Sequence, residues 1–243
     1  MKTERPPLVL LHGWGMNAGI WAGLREHLAP DWEIVAPELP GHGEAPWEGE
    51  TTLAAWAEAV LAAAPPRALW LGWSLGGLVA LEAARRRPER VTGLLLVAGT
   101  PCFVQRPDWS AAMAPAVLEA FAADLVTDLE GTLARFLALQ FHGVVKGRAL
   151  IREAQAQLAA RPAPRPQALA AGLDLLRHSD LRPALEGIEQ PVTWLLGGRD
   201  RLVPPALADA LPEEHRVRLV PQAGHAPFLT HPQAVREALA GHD

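Results

Sequence analysis

The chain has 243 residues, 49% hydrophobic and 20% charged, which suits one sizeable globular core and excludes a disordered chain. Its formal net charge of −5 argues against general nucleic-acid binding, and its single cysteine, Cys102, excludes an internal disulfide and a cysteine-only metal site. The apolar run before His12 is too short for a signal-peptide core and no stretch approaches the roughly 18 apolar residues of a membrane span, so a soluble cytoplasmic protein is expected.

In chain order, 8–11 reads as a strand that enters His12-Gly13-Trp14-Gly15, and 21–28 has helical spacing. A second strand at 33–36 leads into Pro40-Gly41-His42-Gly43, and a helix at 53–64 stops at Pro65-Pro66. A strand at 69–72 is followed by a helix at 75–87 that Pro88 ends. The near-continuous apolar run 91–98 suits a parallel strand buried on both faces. From Trp109 to Ser179 no strand pattern appears. The segments 113–123, 128–142, 147–160 and 166–177 all read as helices, and RPAPRP (161–166) makes a rigid bend between the last two. The alternation then resumes with a strand at 192–196, a helix at 205–211, a strand at 216–220 and a helix at 232–240. This order predicts an α/β fold with a mostly parallel central sheet flanked by helices. The core is expected over 1–108 and 180–243, with an all-helical lid, 109–179, inserted after the strand at 91–98.

The chemistry collects at strand ends. Gly72, Ser74 and Gly76 fit G-x-S-x-G between a strand and a helix, the setting of a nucleophile elbow. The serine there meets the positive end of the helix; the alternative reading is a helix N-cap. A serine nucleophile needs a base. Of the nine histidines, His225 lies in the loop after the strand at 216–220, where ligands meet the carboxyl ends of such sheets. His231 reads as a cap or surface residue, and His27, His142, His178, His215 and His242 as surface residues. Asp200, reached from the strand at 192–196 through Gly197-Gly198-Arg199, is the candidate to orient the base. Its competitors, Asp174 and Asp180, belong to the helical insertion or its exit. Candidate oxyanion donors are the backbone N–H groups of Leu75 and of Trp14 in HGWG, although HGWG also reads as an ordinary glycine turn.

Charge is uneven. Between 131 and 166 stand six basic residues, Arg135, Lys146, Arg148, Arg152, Arg161 and Arg165, against one acid, Glu153.

Together these features resemble the α/β-hydrolase superfamily over nearly the whole chain. A narrower resemblance rests on LLHGWG (10–15), WLGWSLGGLVA (70–80), RPERV (87–91), PCF (101–103), RFLALQ (135–140), DLR (180–182) and GHAPFLTHP (224–232). These resemble the pimeloyl-[acyl-carrier protein] methyl ester esterases of biotin biosynthesis. RFLALQ discriminates best, because it lies outside the motifs that all serine α/β-hydrolases share. The resemblance implies hydrolysis of a carrier-bound methyl ester with release of methanol, without metal or organic cofactor. It implies substrate contacts at Trp14, Ser74, Leu75, Phe136, Leu137, Ala138, Leu139, Gln140 and His225. An acyl carrier protein is the implied partner of an expected monomer, and Arg135, Arg148 and Arg152 are expected to dock it. Trp14, Trp73, Phe103, Trp109, Phe136 and Phe228 are candidate apolar walls, or plain core. Two departures stand out: only seven residues precede the first strand, and Gly41-His42-Gly43-Glu44-Ala45 replaces the common GHGxS. The rival readings are a general short-chain carboxylesterase and a ligand-binding protein that keeps the fold.

Overall fold

The computed structural model describes residues 5–141 and 147–242. Six parallel strands form one sheet: β1 (Leu8–Leu11), β2 (Ile34–Val35), β3 (Ala68–Trp73), β4 (Val91–Val97), β5 (Val192–Gly197) and β6 (Arg216–Val220). Their spatial order is β2-β1-β3-β4-β5-β6, and no strand precedes β1 among the described residues. The order reverses direction between β1 and β3, which opens a crevice beyond their carboxyl ends. That crevice holds both HGWG, after β1, and Ser74, after β3.

The strand sequences explain their places. β1, β3 and β5 are buried at every position, as continuous apolar runs between two helical layers require. The two edges are blunted: β2 has two residues, and β6 carries exposed Arg216 and Arg218. β2 is shorter than the predicted 33–36, and Pro37, which has no N–H to give to a ladder, stops it from extending further.

Helices α1 (Ala22–Leu28), α2 (Leu53–Ala63) and α3 (Leu75–Arg86) join the first four strands. Thr52 caps α2 by accepting from the Ala55 N–H at 3.2 Å. Between β4 and β5 run α4 (Pro115–Thr127), α5 (Leu129–Gln140), α6 (Gly147–Ala159) and α7 (Pro166–His178). Prolines open α4 and α7, where a missing N–H costs nothing, and Asp128 caps α5 through the Gly131 N–H at 2.9 Å. Met113 lies outside α4, because it bridges instead to Val104. The 161–166 bend is tied to the core by the Arg165 N–H, which donates to the Gly41 carbonyl at 2.8 Å. His142 and Lys146 lie outside the described residues.

The C-terminal part differs in detail. The predicted helix at 205–211 is a 3-10 turn, Pro205–Ala210, which ends where Leu211 turns extended ahead of Pro212. The predicted last helix is α9 (Pro232–Leu239), preceded by a short α8 (Pro227–Thr230). The core is rich in indoles: Trp14, Trp21, Trp56, Trp70, Trp73 and Trp194 are all fully buried. Among the described residues no helix is long and apolar enough to cross a membrane.

Candidate active site

Ser74 stands where β3 turns into α3. Its φ of 55° and ψ of −119° put a non-glycine residue in a sparsely populated region. Such strain costs on the order of 1–3 kcal/mol and persists where the surroundings enforce it. Here the Ser74 N–H donates to the Val97 carbonyl at 3.1 Å, and the Ser74 carbonyl accepts from the Gly77 N–H at 2.8 Å. No side-chain cap bond ties up the hydroxyl, so the N-cap reading does not describe it. Gly76 has to be glycine, because a Cβ there would collide with the backbone carbonyls of Leu11 and His12. A Cβ on Gly13 would come within 3.3 Å of the Ser74 Cβ. HGWG is therefore packed directly against the serine.

His225 and Asp200 meet at the same sheet edge. His225 Nδ1 lies 2.8 Å from Asp200 Oδ2, and both side chains are buried. The other carboxylate oxygen, Oδ1, accepts from the Leu202 and Val203 N–H groups at 2.8 and 3.0 Å, which fixes the carboxylate plane. With the carboxylate accepting from Nδ1–H, the ring leaves Nε2 as its basic nitrogen. Nε2 is buried and has no hydrogen-bond partner among the described residues. An unpaired buried nitrogen of this kind is costly unless something else uses it. The competing acids are placed elsewhere. Asp180 is held by Arg182 at 2.6 Å, and this guanidinium keeps its carboxyl below the usual range. Asp174 is exposed on α7.

Neighbouring groups hold these parts in register, and sequence reasoning missed two of them. The Trp73 indole N–H donates to the His225 carbonyl at 2.7 Å, and its ring packs on Trp21, Phe228 and the His225 imidazole. Trp73 thus positions the histidine loop from below rather than walling the pocket. Glu38 pairs with Arg161 at 3.2 Å and accepts from the Ala18 N–H, and the adjoining Leu39 N–H donates to His12 Nε2 at 3.1 Å, which braces HGWG. The only sequence signal of Glu38 was its position just after β2. His231 does act as the cap position of α9, whereas His215 is buried and accepts the Trp194 indole N–H at 3.1 Å. Burial pushes the His215 pKa down, contrary to its expected surface role.

Above Ser74 lies a narrow apolar pocket of about 20 Å³, walled by Trp14, Phe103, Met113, Phe136, Leu173 and their neighbours. Trp73, Trp109 and Phe228 do not line it. The Trp14 indole N–H donates to the Leu169 carbonyl of α7 at 2.8 Å, and its ring meets Phe136 edge-on. Of the other residues in RFLALQ, Leu137 is buried, Ala138 and Leu139 face an outer groove, and Gln140 is buried with its amide N–H on the Phe136 carbonyl. Arg135 is paired with Asp124 and Asp128 at 3.2 and 3.0 Å. Arg148, Arg152 and Arg165 are exposed, and their side chains have no partner among the described residues. No group of His, Cys, Asp and Glu able to hold a metal occurs among the described residues.

A serine on a strained strand–helix turn, with a buried His–Asp pair at later ends of one parallel sheet, defines a hydrolase of the α/β class. The family pattern of the alpha/beta hydrolases matches residues 8–238, and the chain belongs to that family. Within it the chain is similar to the pimeloyl-[acyl-carrier protein] methyl ester esterase of Methylococcus capsulatus, with 47% identity over 93% of this chain and 90% of that protein. The esterase of the same name from Klebsiella pneumoniae is 44% identical over 96% of this chain and 91% of its own length. Among solved structures, an esterase from Exiguobacterium antarcticum has the same fold, with a TM-score of 0.86, 20% identity, and coverage of 98% of this chain and 91% of that one.

Proposed function

We propose that the chain is a serine carboxylesterase that hydrolyses the methyl ester of pimeloyl-[acyl-carrier protein], releasing methanol and pimeloyl-[acyl-carrier protein] for biotin biosynthesis. The observation that carries the chemistry is the buried His225–Asp200 contact at 2.8 Å, which leaves Nε2 basic and unpartnered. The substrate class follows from the full-length similarity to esterases of that name at 44–47% identity.

In this mechanism Ser74 Oγ attacks the ester carbonyl while His225 Nε2 takes the hydroxyl proton. The Leu75 and Trp14 N–H groups receive the oxyanion. The tetrahedral adduct collapses, and methoxide leaves with the proton from Nε2 as methanol. Water then gives a proton to Nε2 and attacks the acyl-enzyme, and that proton returns to Ser74 as the acid is released. Asp200 orients the ring and stabilises it while it is charged. The residues 109–179 act as the lid, and the protein works in the cytoplasm as a monomer.

The carrier docks on α6. Arg148 and Arg152 lie one turn apart there, unpaired and exposed, and their weak mutual repulsion is relieved by an acidic partner. Arg135 contributes less than the sequence suggests, because Asp124 and Asp128 already neutralise it. The test compares carrier-bound methyl ester with a small free ester. Reversing both charges (Arg148→Glu with Arg152→Glu) should lower kcat/KM about tenfold or more for the carrier-bound ester alone, and rising salt should do the same. Equal responses of both esters refute docking. A general short-chain esterase is the second reading, favoured by the small volume of the pocket at Ser74; it predicts faster turnover of the free acetate than of the carrier-bound ester.

A further inference from the structure

The pocket at Ser74 is far too small for a linear acyl chain as it stands. Its volume of about 20 Å³ is room for about one water. Outside it, between α4 and α5, runs an open apolar groove of about 700 Å³, lined by Ala116, Val117, Ala120, Ala138 and Leu139. One residue belongs to both linings: Phe121 of α4. Two further depressions lined by described residues, beside 133–137 and beside 150–157, share no lining residue with the Ser74 pocket. Among the described residues, the α4–α5 groove thus ends against the pocket at Ser74, and one side chain closes it.

The aromatic residues at this wall are not equally fixed. Trp14 is buried and its indole is bonded to the Leu169 carbonyl. Phe136 is also buried, edge-on to Trp14 with centroids 5.0 Å apart. Phe121 is only half-buried, and its ring has one aromatic neighbour, Phe136, at 5.6 Å. The outermost ring of the series has both the space and the freedom to change rotamer. The rim of the groove bears the Asp124–Arg135 pair, which joins α4 to α5 and keeps its two walls together.

We propose that Phe121 is the gate and chain-length determinant of this enzyme. Its ring turns aside to let the acyl chain run from Ser74 into the α4–α5 groove, so that long linear acyl groups depend on Phe121 and short ones do not. This rests on the esterase reading but requires no carrier protein. A chain of one or two carbons ends within the inner pocket. A longer one has to pass Phe121 and lie along Ala120 and Ala138.

The test is the ratio of kcat/KM for p-nitrophenyl octanoate over p-nitrophenyl acetate, in the full chain. Phe121→Ala removes the obstruction and should raise this ratio about tenfold, while Ala120→Trp, at an exposed position, fills the groove and should lower it about tenfold. An unchanged or lower ratio in Phe121→Ala, or an unchanged ratio in Ala120→Trp, overturns the gate. Turnover of acetate with unchanged ratios refutes the gate alone. No turnover of either ester, with no labelling of Ser74 by a fluorophosphonate, refutes the esterase reading and the gate with it.

Discussion

Trp73→Phe tests how the histidine is held. The substitution keeps a ring among Trp21 and Phe228 but deletes the indole N–H that reaches the His225 carbonyl at 2.7 Å. That carbonyl is deep in the protein, and an orphaned buried acceptor costs about 1–3 kcal/mol. A smaller ring also leaves a cavity, which any Trp→Phe change in the core shares. Trp70→Phe is the matched control. Trp70 sits on the same strand, three residues away and therefore on the opposite face of the sheet, and is as fully buried. Its indole nitrogen has no partner among the described residues, so removing it orphans none of them. The difference between the two variants isolates the hydrogen bond. In urea unfolding, Trp73→Phe should be less stable than Trp70→Phe by about 2 kcal/mol. Because the lost bond is at the proposed catalytic base, the histidine shifts, and a displacement of this order should lower kcat by roughly 10- to 100-fold. Trp70→Phe should keep its kcat. The assay is acetate ester turnover together with the rate of Ser74 labelling by a fluorophosphonate, each on folded protein. Equal kcat in the two variants would refute the positioning role of Trp73.

Asp200→Asn should leave the fold intact, because Oδ1 still accepts from Leu202 and Val203, yet the amide turned to Nδ1 enforces the wrong tautomer. A fall in kcat of about 10⁴ is expected, and a loss under tenfold would remove Asp200 from the site. His42 supplies a pH test. Burial first, and the neighbouring His12 ring second, push its pKa down to about 3 from the ordinary 6.5. The unfolded chain therefore takes up this proton before the folded one. Stability is complete above pH 6.5 and falls as pH drops towards 3, by about 2 kcal/mol at pH 5 from this group alone. Urea unfolding of His42→Asn at pH 7 and pH 5 should show that much less acid loss than the parent; identical losses refute it.

The layout of the sheet was legible because parallel strands between two helical layers must be apolar throughout, and 69–72, 91–98 and 192–196 have that composition. That Ser74, Asp200 and His225 stand at one edge was legible for a related reason: each follows a parallel strand, and the carboxyl ends of parallel strands lie along one edge. What was not legible depends on partners remote in sequence. Trp73 and the His225 carbonyl are 152 residues apart, and nothing local distinguishes Trp73 from Trp70. The partners of Arg135 fell outside the basic stretch counted from 131, because Asp124 and Asp128 stand just before that boundary. Phe121 was one apolar letter among several in α4, and only the side-by-side geometry of pocket and groove singles it out.

This division has a physical origin. The proposed catalytic groups are held by backbone hydrogen bonds and by glycines that permit close approach, and such demands restrict sequence to short recognisable strings. The helices over the site have only to present an apolar face, which many sequences satisfy. If Phe121 is the gate, selection among acyl chains is set by individual side chains on a permissive surface. Substitutions at Phe121 and Ala120 should then change which ester is preferred while Ser74 remains reactive to a small phosphonate. Substitutions at Trp73 should slow all esters in the same proportion. A variant of Trp73 that altered the octanoate-to-acetate ratio, or one of Phe121 that slowed both esters equally, would show that positioning and selection are not separable between sheet and helices.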